Sequence, residues 1–263
     1  ICRMNEKSHQ LVNINGLEIG CGKPKGIVPV AGKTSNDILK EVQEMRHLRF
    51  DIIEWRIDFF EHVTDSCQVI ACASSIKQLC NKPLLITFRT KAEGGQRALS
   101  KAAYFQLYND LIASRIIELI DIEHFMPKND MQNIIKKEHL QGIKVIMCNH
   151  EFSCTPRKDE IIHRLIKMQE LGADICKIAV MPQSPQDVLT LLCATEEMNR
   201  RHATRPIITM SMGKLGLISR LNGELVGSSC TFGIAKTASA PGQISVEELQ
   251  EALTLLSLEG STE

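Results

Sequence analysis

The sequence carries no surplus of charge. Lys plus Arg and Asp plus Glu each number 31 in 263 residues. That balance removes the electrostatic case for nucleic acid or an anionic membrane as partner. No apolar run approaches the roughly 18 residues that a membrane span needs. The opening stretch "ICRMNEKSHQLVNING" lacks the apolar core of a signal peptide. Met4 reads as a natural start, with residues 1–3 added or left by processing. There is no CxxC pair among the 10 cysteines. Cys148 and Cys176 lie inside apolar runs, where a thiol behaves as a small hydrophobe. Reduced structural thiols in a cytoplasmic protein are the expectation, with disulfides or a metal as the alternative. No HxH or HExxH pair suggests a metal centre, and no glycine-rich fingerprint follows the first apolar run.

Hydrophobic residues make up 43% and charged residues 24%, the composition of a globular chain. Short β-branched runs recur at 26–32, 51–58, 83–90, 116–123, 144–151, 174–180, 206–213 and 225–233. Helix-like segments lie between most of them, among them "SNDILKEVQEMRHL", "SKAAYFQLYNDLIAS", "KDEIIHRLIKMQELG" and "SPQDVLTLLCATEEMNRR". The repeat of roughly 25–35 residues is the size of a βα unit. Eight such units predict an α/β fold, a closed (β/α)8 TIM barrel, in a single domain over residues 1–263. An open doubly wound sheet is the alternative. "LVNINGLEIGCGKPKG" reads as a short N-terminal β-hairpin at the bottom of the barrel. "SVEE" at 245–248 reads as a capping box that opens a final amphipathic helix.

In such barrels the working end is the C-terminal end of the strands. In the second run Glu54, Arg56 and Asp58 share one parity and Ile53, Trp55 and Ile57 the other. With the apolar parity against the helices, Glu54 and Arg56 face the interior. The third run ends with Arg89, followed by Glu93. The fourth ends with Asp121 and Glu123, and the fifth with His150 and Glu151. The sixth carries Lys177, which shares parity with Ile175 and Ala179, and Arg220 follows the seventh. After the eighth comes a Gly/Ser/Ala-rich stretch containing Ser239 and Gln243. Each residue alone has a plain reading: a solvated rim charge, half of a salt bridge, a structural histidine, a loop. Together they place ionisable groups at the ends of successive strands around one mouth, which is costly unless the mouth binds something.

A lysine in an apolar strand loses its proton more readily than one in water, and neighbouring arginines push the same way. The neutral amine attacks ketones and aldehydes to give a Schiff base. The protonated imine acidifies the adjacent C–H, and His150 is placed to take that proton, with Glu93 orienting it. Several arginines at one mouth match a carboxylate-bearing substrate. The residue types thus point to a Schiff-base lyase or aldolase acting on an anionic keto compound.

The motifs "EWRID", "ITFRTKAEGG", "IDIE", "NHEFSCTP", "CKIAVMPQSPQDVLTLL", "ITMSMGKLGLISR" and "TFGIAKTASAPGQI" resemble, in order and spacing, those of the type I 3-dehydroquinate dehydratases. The resemblance runs from about residue 10 to 256. It implies conversion of 3-dehydroquinate to 3-dehydroshikimate in the shikimate pathway, by a barrel that is usually a homodimer and uses no cofactor or metal. It implies that Lys177 forms the imine, that His150 is the base and then the acid, and that Glu93 pairs with His150. It further implies that Arg220 clamps the substrate carboxylate and that Glu54, Arg56 and Arg89 form the polar wall. Ser239 and Gln243 would belong to a closing lid. Pro29 stands where some members have serine. Two rivals remain: an aldolase on the same barrel, with a phosphate site after the seventh and eighth strands, and a binding domain without activity on this scaffold.

Overall fold

Strands that are apolar on both faces at one end, and polar on one face at the other, close into a barrel with a dry base and a charged mouth. The computed structural model describes residues 11–236 and 240–258. β1 (Val12–Ile14) and β2 (Leu17–Ile19) form an antiparallel hairpin. It turns at Asn15 and Gly16, both with positive φ (52° and 89°), as a two-residue hairpin turn requires. The barrel strands are β3 (Lys25–Val30), β4 (Ile52–Arg56), β5 (Leu84–Thr87), β6 (Leu119–Glu123), β7 (Lys144–Glu151), β8 (Ile175–Val180), β9 (Ile207–Ser211) and β10 (Cys230–Ile234). From β3 to β9 each strand pairs in parallel with the next, and β10 pairs with β3. β9 and β10 close the ring without a ladder, through the residues just before β10: Ser229 N–H donates to Ile207 O at 2.8 Å, and Ser228 Oγ accepts the Thr209 N–H at 3.0 Å. A short β11 (Ile244–Ser245) adds to β10.

The outer layer holds α1 (Ser35–Met45), α2 (Ser66–Leu79), α3 (Lys101–Ser114), α4 (Lys128–Gln141), α5 (Lys158–Glu170) and α6 (Pro185–Glu197). Two short helices follow, α7 (Ile218–Leu221) and α8 (Gly223–Val226), and then α9 (Val246–Leu255). Local chemistry sets their starts. Thr34, Ser184 and Ser245 each form a capping box with the residue three positions on, and Pro185 opens α6. Outward strand residues such as Ile53, Trp55, Ile86 and Ile178 pack on Ile38, Leu111, Leu165 and Leu191 of the helices. Inside, Ile27, Ile52, Leu85, Leu119, Ile146, Ile175 and Ile208 form an apolar layer. Val12, Ile14 and Ile19 of the hairpin pack against it and plug the base. Each fully buried branched side chain contributes about 1.5–3 kcal/mol relative to exposure. Among the described residues the cysteines are free thiols.

Three local readings of the sequence need correction. The second strand stops at Arg56, and Ile57–Phe59 is a 3-10 turn, so period-two parity does not extend to Asp58. The Asp58 carboxylate explains the turn, because it accepts both the Arg56 guanidinium and the Gln96 N–H. Arg89 lies beyond the end of β5 at Thr87. The eighth strand starts at Cys230, since residues 223–226 form a helical turn ended by Gly227 at φ 95°.

Candidate active site

Above the apolar base, the inward positions change character around the ring. From β4 to β8 they carry Glu54, Asp121, Cys148, His150 and Lys177, while β9 and β10 carry Met210 and Phe232. A cleft opens there, lined on its polar arc by Glu54, Arg56, Arg89, Glu93 and His150. Ala179, Met210, Met212 and Phe232 form its apolar arc, and Lys177 lies between the two.

Lys177 is 3% exposed. It does not stand bare among arginines, as its sequence neighbourhood suggests. Its Nζ lies 3.2 Å from Asp121 Oδ2 and 4.7 Å from the centre of the Phe232 ring. A buried ammonium needs such a counter-charge, and Asp121 provides it. Burial alone pushes the Asp121 carboxyl up, but Arg89 and Lys177 outweigh burial and hold it at about 2.

His150 is braced from the loop after β5. Its backbone N–H donates to Glu93 Oε2 at 3.0 Å, and its Nδ1 meets the same oxygen at 3.1 Å. Burial, with Arg89, Lys177 and Arg56 adding like charge, holds the imidazole well below its ordinary range, so it stands neutral. Burial pushes the Glu93 carboxyl up to about 7, against the attraction of Arg89. Phe152 stacks on the imidazole at 6.2 Å and 18°. Gly94, at φ 86°, makes room for it: a Cβ there would lie 2.5 Å from the Phe152 ring.

Arg89 Nη2 donates to Asp121 Oδ1 at 2.8 Å and Nη1 to Glu123 Oε1 at 3.2 Å. Arg56 pairs with both oxygens of Asp58, at 2.8 and 2.9 Å. Glu54 accepts from Thr87 Oγ1 at 2.9 Å. Gln243 and Ala240 reach the cleft from the segment after β10. Arg220, 2% exposed, lies beside the cleft lining rather than in it: Nη1 is 3.6 Å from Met210 Sδ and Nη2 donates to Pro241 O at 2.9 Å. Burial lowers its guanidinium to about 10, and no acid pairs with it among the described residues. Ser239 lies outside the described residues.

Of the residues singled out in the sequence, Glu54, Arg56, Arg89, Glu93, His150, Lys177 and Gln243 therefore meet at one cleft. Asp121 and Cys148 were visible only as a rim acid and a structural thiol. Their polar parity inside strands buried on both faces was the available signal. Glu93, Cys148 and His150 also bring potential metal donors within 4.8 Å of one another. They fit a metal poorly, because the Arg89 guanidinium already sits 2.9 Å from Cys148 Sγ and burial pushes that thiol well up.

The fold and the mouth together define a class: a (β/α)8 barrel with a buried amine, a braced imidazole and a ring of guanidinium groups at the C-terminal ends of its strands. A model of the type I 3-dehydroquinase family matches residues 27–259, and the chain belongs to that family. It is similar to the 3-dehydroquinate dehydratase of Salmonella typhimurium, at 50% identity over 246 residues, covering 93% of this chain and 98% of the relative. Among solved structures, it resembles the type I 3-dehydroquinate dehydratase of Clostridium difficile with covalently modified comenic acid. That match has 47% identity and a TM-score of 0.91, covering 94% of this chain and 97% of the other. The 3-dehydroquinate dehydratase of Geobacillus kaustophilus matches at 36% identity and a TM-score of 0.92, covering 96% and 98%.

Proposed function

We propose that residues 1–263 act as one catalytic barrel that converts 3-dehydroquinate to 3-dehydroshikimate and water through a Schiff base on Lys177. One observation carries this reading: Lys177 and a neutral, carboxylate-braced His150 line the same cleft. The neutral amine adds to the C3 ketone, the carbonyl oxygen leaves as water, and an iminium remains. His150 takes a C2 proton; the C–H electrons form a C2=C3 bond and the C=N π pair moves onto nitrogen, giving a neutral enamine. The enamine electrons then expel the C1 hydroxyl, which His150 protonates, in a syn elimination. Water hydrolyses the conjugated iminium, releasing the enone and restoring the amine, so one molecule of water is lost overall.

The remaining roles follow the chemistry of each group. Arg220, a buried cation without an acid partner among the described residues, suits the substrate carboxylate. Glu54, Arg56 and Arg89 suit its hydroxyls and ketone side, and Ser239 and Gln243 belong to a lid. No step calls for a cofactor or a metal. A place in the shikimate pathway, in the cytoplasm, as a homodimer, is part of the same reading. No helix among the described residues is long and apolar enough to cross a membrane.

The test is to add 3-dehydroquinate, follow the enone absorbance, and trap the adduct with borohydride. Mass spectrometry should place the adduct on Lys177. His150→Ala should lose about 10²–10⁴-fold in turnover yet still yield trapped adduct. Carbon–carbon cleavage would favour the aldolase, and an adduct elsewhere, or none, would end the Schiff-base reading.

A further inference from the structure

The Lys177 nitrogen changes its covalent partners in the proposed cycle while remaining close to a charge that does not move. We infer that Asp121 is the fixed counter-ion of that nitrogen, anchoring the resting ammonium and then the iminium formed on it. The inference rests on the reading of Lys177 as the amine that forms the imine.

Asp121 is fully buried on β6, and its two carboxylate oxygens are divided between two tasks. Oδ1 accepts from Arg89 Nη2 at 2.8 Å and from Cys148 Sγ at 2.9 Å. Oδ2 is left for Lys177 Nζ at 3.2 Å. The backbone is fixed as well, because Tyr108 Oη donates to Asp121 O at 2.7 Å. A carboxylate held at both ends is preorganised, so charge on the nitrogen meets an anion without rearrangement.

The ionisable groups around the nitrogen leave this task to Asp121. β7 presents Cys148 and His150, β10 presents Cys230, and Arg89 approaches from beyond β5. The other nearby acids are committed: Glu123 to Arg89 and Thr90, and Glu93 to His150. An iminium without Asp121 would face Arg89 and a neutral imidazole. With its carboxyl held at about 2, Asp121 stays ionised and is no store for the proton that the amine gives up. The counter-ion also favours the resting ammonium, which slows attack; the charged intermediates gain what the free amine loses.

The opposed effects give the test. In Asp121→Asn, turnover should fall about 10- to 100-fold, the loss expected for a charge-assisted hydrogen bond. The pH dependence of borohydride trapping should meanwhile move to lower pH, because the ammonium has lost its anion. A merely structural role would scale the whole pH curve without moving it. That outcome, or turnover within about threefold of wild type, overturns the inference. Should Asp121→Asn fail to fold, Cys148→Ala loosens Oδ1 while keeping the charge. Its turnover should fall several-fold and Cys148→Ser should restore it, and equal rates for the two would overturn the inference. Wild-type adduct on a residue other than Lys177 is a separate result, since it removes the Schiff-base reading itself.

Discussion

One oxygen of Glu93, Oε2, meets both the backbone N–H and the ring Nδ1 of His150, at 3.0 and 3.1 Å. With Glu93 ionised, Nδ1 carries the ring proton and Nε2 is the nitrogen left to accept one. The pair thus selects a tautomer as well as an orientation. It also depends on a carboxyl that burial has moved to about 7.

Turnover should therefore decline as the pH falls through about 7, when Glu93 gains a proton and ceases to hold Nδ1–H. His150 itself is not the origin of that limb, because burial and the neighbouring cations keep it well below its ordinary range. Glu93→Gln should remove the limb and lower the alkaline plateau by about 10- to 100-fold. A kcat profile over about pH 5–9 measures both. An unchanged acid limb in the variant would assign it to another group.

The contact between Gly94 and Phe152 sets up a second experiment. Gly94→Ala places a Cβ 2.5 Å from the Phe152 ring at φ 86°, a backbone conformation that costs alanine about 1 kcal/mol. The variant should push Phe152 off His150 and reduce kcat several-fold. Phe152→Ala in the same chain should relieve the clash but not the backbone strain. A double-mutant cycle on kcat and thermal midpoint separates the two, and fully additive effects would sink the steric account.

Away from the cleft, one buried carboxyl ties stability to pH. Glu138 on α4 is fully buried, and both its carboxylate oxygens lack hydrogen-bond partners among the described residues. Burial, reinforced by Asp174, pushes its carboxyl well above the ordinary carboxylate range. A folded-state pKa above the unfolded one means that the folded chain holds the proton more tightly. The contribution is complete below the unfolded value and is lost as pH rises through the folded one. Glu138→Gln removes this dependence whatever constant cost its amide carries. Relative to wild type it should gain stability steadily between about pH 4.5 and 8, read from denaturant midpoints. A gap that does not widen with pH would refute the assignment.

Much of this architecture was legible in the linear pattern. The alternation Ile53, Trp55 against Glu54, Arg56 sorted helix-facing from barrel-facing residues, and β4 follows it. Lys177 shares its parity with Ile175 and Ala179, which both sit in the interior cluster. The capping box at Ser245 located the start of α9. The failures lie where a side chain reshapes the local backbone. The Asp58 carboxylate gathers Arg56 and the Gln96 N–H, and the chain leaves the strand for a 3-10 turn. Gly227 ends a helical turn in what reads as a continuous apolar strand.

The βα period, the faces of the strands and a ring of ionisable groups at one end are written into the linear pattern. These depend on alternation and capping within a few residues of each position. Which charges meet depends on strand register and on how the barrel closes. The strands carrying Asp121, Cys148 and Lys177 are parallel neighbours whose register pairs Glu123 with Cys148 and Cys148 with Lys177. That register, together with barrel closure, brings Asp121 rather than an arginine to Nζ, across 56 residues of chain. A lysine that looks unpaired in its own strand is paired by the strand two places away, because burying the ammonium without an anion would cost more than the fold can offset.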